Sequence, residues 1–333
     1  MQDTEHALWH PVALALDVSD APVAVQLLEH AVVLWRDGAG TVQAWADQCP
    51  HRGAKLSLGR VCAGQLECPY HGWQFAAGGA CVKVPALPAF VPSASHRATV
   101  FAAQERYGLV WVCLQPDPAE GEPRGGVPPF AADADAQLRK TLCGPYDVAT
   151  SAPRIIENFL DMAHFGFVHD GWLGMRQATA IDDYTVEATP NGLRATQCKA
   201  WQPQSNVHST APAQVEYTYE VLAPYMAVLT KVPDAASVAL QGFRESIALF
   251  ICPVGPESSR VWFGLAMADF DSPDAKLQDF QHTIFMQDKP VLESQSPKRL
   301  PLDVRAEAHT AADKASSAYR RFLKQRNITF GVC

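Results

Sequence analysis

Positive charge is scarce in this chain. Lys and Arg number 27 against 35 Asp and Glu, a formal net charge of −8. No cluster of basic residues is present to grip phosphates, so a nucleic-acid partner is not expected. Long apolar runs are missing too, since nothing approaches the roughly 20 residues that a membrane helix needs. The opening MQDTEHALWHPV has no basic stretch leading into an apolar one, so no secretory signal is expected. The nine cysteines are an odd number, and a reducing compartment works against a disulfide framework. A G-x-G-x-x-G fingerprint is also lacking, so the chain should not bind its own dinucleotide. These absences leave a cytoplasmic globular protein with neither nucleic acid nor membrane as partner.

What is present fits that class. Hydrophobic residues make up 48% and charged residues 19% of the 333 positions, enough for two domains with separate cores. AVVLWRDGAGTVQAWAD reads as a hairpin turning at 37–40, and WQFAAGGACVKV as another around Gly78-Gly79. GLVWVCL, at 108–114, reads as a buried strand. QPDPAEGEPRGGVPPF then shifts the composition to Pro, Gly and Glu and reads as a linker. A helix is expected over 153–165, followed by long strands and helices near 274–295 and 303–324. The division is 1–115, a linker 116–130, and 131–333: a small all-β domain and then an α+β domain.

Seven of the cysteines, Cys62, Cys81, Cys113, Cys143, Cys198, Cys252 and Cys333, are scattered and read as small buried hydrophobes. Cys49 and Cys68 differ, because each travels with a histidine in CPHRGAKLSLGRVCAGQLECPYHGWQF. A zinc finger pairs its cysteines and then its histidines, whereas here each loop carries one of each. Two irons joined by two sulfides need two ligands apiece. Cys49 and Cys68 on one iron with His51 and His71 on the other make a Rieske [2Fe–2S] centre, which neutral imidazole raises in potential. Pro50, Gly53, Pro69 and Gly72 suit tight loops, and the histidines should lie at the surface tip. A zinc-stabilised binding module using the same four residues, or a plain electron carrier, are the readings from other functional classes. The electron carrier would need only the first domain.

RIIENFLDMAHFGFVHDGWLG suggests a second metal. Asn158, Asp161 and His164 recur at every third residue among Ile155, Ile156, Phe159, Leu160 and Phe165, on one helical face. A carboxylate and an imidazole in apolar surroundings are costly unless paired or bound to metal. His169 breaks helical spacing with His164, and Gly166 permits a local break or π-like turn that joins the rings. Two histidines want one carboxylate to complete the facial triad of a non-haem Fe(II) site. Asp288, on the stripe Leu277, Phe280, Ile284, Val291, is one candidate, with Pro290 disturbing the helix beside it. Asp279 and Glu293 remain open on spacing alone.

With these residues in view, the chain resembles the terminal oxygenase component of the Rieske non-haem iron oxygenases. The likeness runs from LWHPV through the cluster loops and ERYGLVWV to QDKPVLESQ. It is similar to the short group with vanillate and dicamba O-demethylases and methylxanthine N-demethylases, and HFGFVHDGWLG also resembles saxitoxin-pathway hydroxylases. The resemblance implies a Rieske β domain joined to a helix-grip (START-like) catalytic domain with an antiparallel sheet, assembled as a head-to-tail homotrimer. It implies one [2Fe–2S] cluster and one mononuclear Fe(II) on His164, His169 and Asp288, the last matched by the D-K-x-x-x-E segment. It gives Asn158 and Asp161 catalytic positions, with Asp161 bridging His164 to His71 of a neighbouring subunit. Electrons would come from NAD(P)H through a separate flavin/[2Fe–2S] reductase, and O₂ would hydroxylate a C–H bond of a small aromatic, heterocyclic or alkaloid-like molecule. On an N- or O-methyl carbon the same chemistry is a demethylation that releases formaldehyde.

The expected substrate pocket comprises Phe165, Val168 and Trp172 beside the ligands, and Trp201, Tyr217 and Phe243 from the strands. The last three could equally be ordinary core aromatics. Arg154 or Arg244 could clamp a substrate carboxylate, or each could belong to an ion pair.

Overall fold

A computed structural model describes residues 4–115, 125–233 and 244–333. Its contacts divide the chain into two compact units, Met1–Val127 and Pro128–Cys333. Most of the expected linker, 116–124, and the pocket candidate Phe243 lie outside the described residues.

The first unit is built of strands β1 (His10–Leu14), β2 (Val23–Leu27), β3 (His30–Arg36), β4 (Val42–Ala46), β5 (Arg60–Cys62), β6 (Gln65–Glu67), β7 (Gln74–Phe75), β8 (Cys81–Lys83), β9 (Val100–Arg106) and β10 (Leu109–Cys113). Six of them make an antiparallel sheet in the order β1-β10-β9-β4-β3-β2, and β5-β6-β7-β8 make a second. The β3–β4 hairpin turns where expected. Asp37 Oδ1 accepts from the amides of Ala39 (2.9 Å) and Thr41 (3.0 Å), and Gly40 takes φ +80°, open to glycine without penalty. The β-branched and aromatic residues of β3 and β4 put Val33, Trp35 and Trp45 inside, edge to face at 4.9 Å for the tryptophans. Burying each such side chain contributes about 2–3 kcal/mol. Cys49 and Cys68 belong to this same core, packed with Leu56, Leu66 and Phe75.

The second unit contains β11 (Arg139–Val148), α1 (Ala152–Phe159), α2 (Phe165–Val168), β12 (Thr185–Thr189), β13 (Gly192–Gln202), β14 (Ala213–Ala223), β15 (Met226–Pro233), β16 (Glu245–Gly255), β17 (Ser258–Met267), α3 (Asp274–Ser294) and α4 (Lys314–Gln325). Its seven strands form one antiparallel sheet, β11-β17-β16-β15-β14-β13-β12. Strand alternation sorts the side chains: in β14, Val215, Tyr217, Tyr219 and Val221 face inward while Gln214 and Glu216 face out. Helix α3 is tied to β11, with Gln278 Nε2 donating to the Leu142 carbonyl at 3.1 Å and Thr141 to Asp274 at 2.7 Å.

Four local expectations change. The helix expected over 153–165 ends at Phe159, because Asp161 Oδ1 accepts the Ala163 amide at 2.8 Å and turns the chain. Asp161 is therefore a turn residue and does not share a helical face with Asn158. The helix expected from 303 begins at Lys314; before it, Thr310 and Asp313 bond reciprocally, the Thr310 amide reaching Asp313 at 2.6 Å. Pro290 does not end α3, which runs on to Ser294; it only removes the amide that would meet the Met286 carbonyl. Two of the scattered cysteines are not buried, Cys62 being half-buried and Cys333 exposed.

Arg154 is not a substrate clamp. Its guanidinium is buried and bonds Glu307 (2.6 and 3.2 Å), while Arg320 of α4 bonds Glu157 of α1 (2.6 and 2.9 Å) and also Glu307. The network ties α1 to α4. Arg244 likewise pairs with Asp135, at 2.5 Å. Burial works to raise the Glu307 carboxyl, but the hydrogen bonds and charges of Arg154 and Arg320 outweigh it, lowering it from 4.5 to about 2. A carboxyl depressed on folding stabilises above its unfolded value and loses that contribution as pH falls through its folded one. The melting temperature of the wild type should therefore fall more steeply between pH 4.5 and pH 2 than that of Glu307→Gln; parallel curves would remove the network from the acid response.

Candidate metal centres

The two loops of the first unit are built alike. In each, the cysteine carbonyl accepts from a glycine four residues on, Gly53 at 2.9 Å and Gly72 at 3.1 Å. The cysteine amide in turn donates five residues on, Cys49 to Ala54 and Cys68 to Trp73, both at 2.8 Å. Gly53 and Gly72 close these turns at φ +73° and +68°, the left-handed region that glycine enters freely. Asp47 braces the first loop from behind by accepting the Ser57 amide and hydroxyl at 2.7 and 2.6 Å.

Both cysteines are buried, and both histidines lie on the solvent side with ring centroids 4.6 Å apart. Burial first, then the neighbouring Cys68 thiol, pushes the Cys49 thiol up to about 11. His51 Nδ1 is buried with no hydrogen-bond partner among the described residues, a costly state for a ring nitrogen. Two crowded thiols and an orphaned imidazole nitrogen fit soft, thiolate- and imidazole-binding metal. They have the donor set of a [2Fe–2S] cluster with mixed ligands. Trp73 stacks on the outer face of His51 at 4.4 Å and 6°.

In the second unit, His164 and His169 flank the single turn of α2. Gly166 admits the following chain rather than opening a wider turn: a Cβ there would meet the Met175 carbonyl at 2.9 Å, and one on Gly174 would meet the Gly166 nitrogen at 2.5 Å. His164 Nε2 lies 3.2 Å from His169 Nε2, and Asp288 Oδ1 lies 3.4 and 3.3 Å from the two. The Nδ1 nitrogens turn away, His164 to Asp161 Oδ2 at 3.2 Å and His169 to Gln287 Oε1 at 2.7 Å. Each Nδ1 thus donates, which leaves both Nε2 lone pairs and a carboxylate oxygen converging on one point. Three acceptors at that spacing repel one another unless a cation sits among them, and two imidazoles with one carboxylate suit iron(II). Asn158 Nδ2 steadies Asp288 from 3.3 Å. Asp279 is exposed, and Glu293 is engaged by Lys289 and the Ala149 amide, so neither enters the group. Burial raises the Asp161 carboxyl, but the His164 hydrogen bond and local amides more than offset it and hold it below 3.8.

Gln287 escaped the sequence reading, since a glutamine one residue from an acid carries no spacing signal. A partner on the far ring nitrogen fixes the tautomer of a ligand imidazole. Gln287→Leu should weaken iron binding by about 10–100-fold while leaving the cluster's visible spectrum unchanged; unchanged iron affinity would show that His169 needs no such partner.

The donors open onto a cavity lined mainly by apolar and aromatic side chains, the character of a small-molecule site. Of the residues named from the sequence, Phe165 and Tyr217 line it. Val168 and Trp172 do not; Trp172 packs 5.7 Å from Phe280, itself part of the wall. Trp201 is also displaced, being 41% exposed because its place in the β13 alternation turns it outward. The wall instead takes Tyr219, Lys231, Phe263, Gln281 and Phe285 among others. The alternation of β14 could have given Tyr219 along with Tyr217. Gln281 belongs to the buried stripe Leu277, Gln281, Ile284, Asp288, Leu292, which ends on Leu292 because Val291 is exposed.

Residues 8–100 match the Rieske [2Fe-2S] domain, and residues 148–327 match the vanillate O-demethylase oxygenase C-terminal domain. The probable methylxanthine N7-demethylase NdmC of Pseudomonas sp. (strain TJI-51) is 40% identical over 235 residues, 69% of this chain and 79% of that protein. Methylxanthine N1-demethylase NdmA of Pseudomonas putida is 32% identical over 95% of this chain and 88% of its own length. The solved structure of NdmA from P. putida CBB5 aligns with a TM-score of 0.80 at 30% identity, covering 96% of this chain and 90% of that one. The oxygenase component of dicamba O-demethylase from Stenotrophomonas maltophilia is 36% identical over 48% of this chain and 46% of that protein.

Proposed function

We propose, since this chain belongs to the Rieske non-haem iron oxygenases, that it monooxygenates a C–H bond of an N- or O-methyl group on a small aromatic or heterocyclic molecule and releases the carbon as formaldehyde. The observation that carries this reading is the convergence of His164 Nε2, His169 Nε2 and Asp288 Oδ1 at the wall of an apolar cavity. Cys49, His51, Cys68 and His71 would hold the cluster, and His164, His169 and Asp288 the mononuclear iron. When bound, the cluster supplies electrons one at a time and the iron supplies the O₂ chemistry that places one oxygen atom in the substrate.

The chain's own residues do the rest. Phe263, Phe280, Ile284 and Phe285 keep water from the reacting carbon and hold a flat ring against the donors. The hydroxylated methyl carbon then separates from nitrogen or oxygen by collapse of the hemiaminal or hemiacetal. The hydroxyl proton passes to the heteroatom and formaldehyde leaves. The names of NdmC, NdmA and the dicamba enzyme support this outcome over a hydroxylation that keeps the carbon.

Electrons are assigned to a separate NAD(P)H-dependent flavin/[2Fe–2S] reductase, as befits a chain without a dinucleotide fingerprint and a relative called an oxygenase component. Asp161, which already accepts from His164, is assigned the bridge to His71 of a neighbouring subunit in a head-to-tail trimer. We place the protein in the cytoplasm, in keeping with seven cysteines outside the cluster loops and none of them in a disulfide; among the described residues no helix is long and apolar enough to cross a membrane. The test is oxygen uptake with reductase, NADH and methylated heteroaromatics such as caffeine. One formaldehyde per O₂ is expected, and a hydroxylated product with every carbon retained would overturn the demethylase reading.

A further inference from the structure

The cavity has a second polar end, distinct from the metal donors. Lys231 of β15 lines it yet is only 4% exposed, and its ammonium sits between two acceptors. It donates to the Ser205 carbonyl at 2.7 Å and lies 2.8 Å from Glu245 Oε2, a close charge contact rather than an aligned hydrogen bond. Strand pairing sets the contact, since Lys231 and Glu245 are cross-strand partners on the inward face of β15 and β16. An ammonium has three donors, so at least one N–H is left without an acceptor among the described residues, beside the Phe280 ring centroid 6.0 Å away.

An independent observation points the same way. The Tyr219 hydroxyl, on the same cavity wall, is 1% exposed and has no hydrogen-bond partner among the described residues. Tyr217 faces Lys231 and Tyr219 faces Leu229 across β14 and β15, so Tyr219 is the diagonal neighbour of Lys231. Burial pushes the Tyr219 phenol well above 10, which keeps it a neutral donor. A buried donor without an acceptor costs free energy that a ligand can return.

We propose that Lys231, with Tyr219 as a second buried donor in the same cavity wall, anchors carbonyl-type acceptors of a neutral, planar substrate, and that Glu245 sets the charge preference at the Lys231 end. The Glu245 carboxylate cancels the ammonium charge, so an entering carboxylate would meet a donor that is already neutralised and a second buried anion beside it. That cost falls on an anion and spares an amide or ring carbonyl. The inference rests on the oxygenase reading above and names the substrate class of that site, neutral acceptors over aromatic acids.

The test is calorimetric binding of 3-methoxybenzamide and 3-methoxybenzoate, alike in shape and different in charge, to the anaerobic, iron-loaded protein. Wild type should bind the amide at least roughly tenfold more tightly than the acid. Glu245→Gln should swing the ratio toward the acid by at least roughly tenfold, because the ammonium is then uncompensated. Should that variant fail to fold, Lys231→Met with Glu245→Leu replaces the pair by apolar groups of similar volume. This double variant should bind the amide about tenfold more weakly, with iron content unchanged. Equal affinity of wild type for the two probes, no measurable binding of the amide, or an unchanged amide affinity in the double variant would each overturn the proposal. Because binding is read without turnover, these failures are separate from an absence of formaldehyde, which bears on the reaction itself.

Discussion

Asp288→Ala should abolish turnover and lower iron from about three to about two per chain, with sulfide remaining at about two and the visible spectrum intact. The physical reason is that His164 Nε2, His169 Nε2 and Asp288 Oδ1 stand 3.2–3.4 Å from one another with both Nδ1 atoms engaged elsewhere. Removing Asp288 takes away the one charged donor, and two neutral imidazoles hold a divalent ion far less well than a facial triad does. Asn158 also loses its acceptor, and among the described residues no other carboxylate lines the cavity. The cluster loops lie in the other compact unit and share no residue with this site. Iron and acid-labile sulfide analysis of the purified variant checks the prediction; a variant that keeps its third iron would mean that Asp288 is not a ligand.

Asp161→Asn should behave differently, keeping both metals while losing turnover by about 10–100-fold or more. Asp161 uses its two oxygens on two donors, the Ala163 amide at 2.8 Å and His164 Nδ1 at 3.2 Å. An amide offers one acceptor and one donor, so one of those N–H groups would face an NH₂. The turn or the His164 tautomer is then strained, while all three iron donors remain in place. If Asp161 also carries electrons between neighbouring subunits, the reduced cluster of the variant should reoxidise slowly in O₂ even with iron fully loaded. Rapid reoxidation together with full activity would sink the bridging role.

The cluster loops were legible because their information is local. Each is one short turn, and Cys, Pro, His and Gly at set offsets already specify which side chains converge and where the backbone turns left-handed. The hairpins and long strands were legible for a similar reason, as alternation and turn residues act over a few positions. Asp161 shows where local reading failed. The three-residue spacing of Asn158, Asp161 and His164 imitates a helical face, yet the Asp161 carboxylate bonds the backbone two residues on and stops the helix first.

The pairing of each cysteine with a histidine in two matching turns, the strand-rich first unit and the chemistry class were readable from the chain alone, since each rests on residues within one loop or one strand. Packing alone brought Gln287, 118 residues from His169, onto that ring; spacing left Asp288, Asp279 and Glu293 open, the family resemblance implied Asp288, and the packing turns Asp288 toward the histidines. It alone set Lys231 in the cavity wall. Spacing along one element fixes which residues share a face. Which faces meet depends on how sheet and helix pack, and no periodicity within either element encodes that.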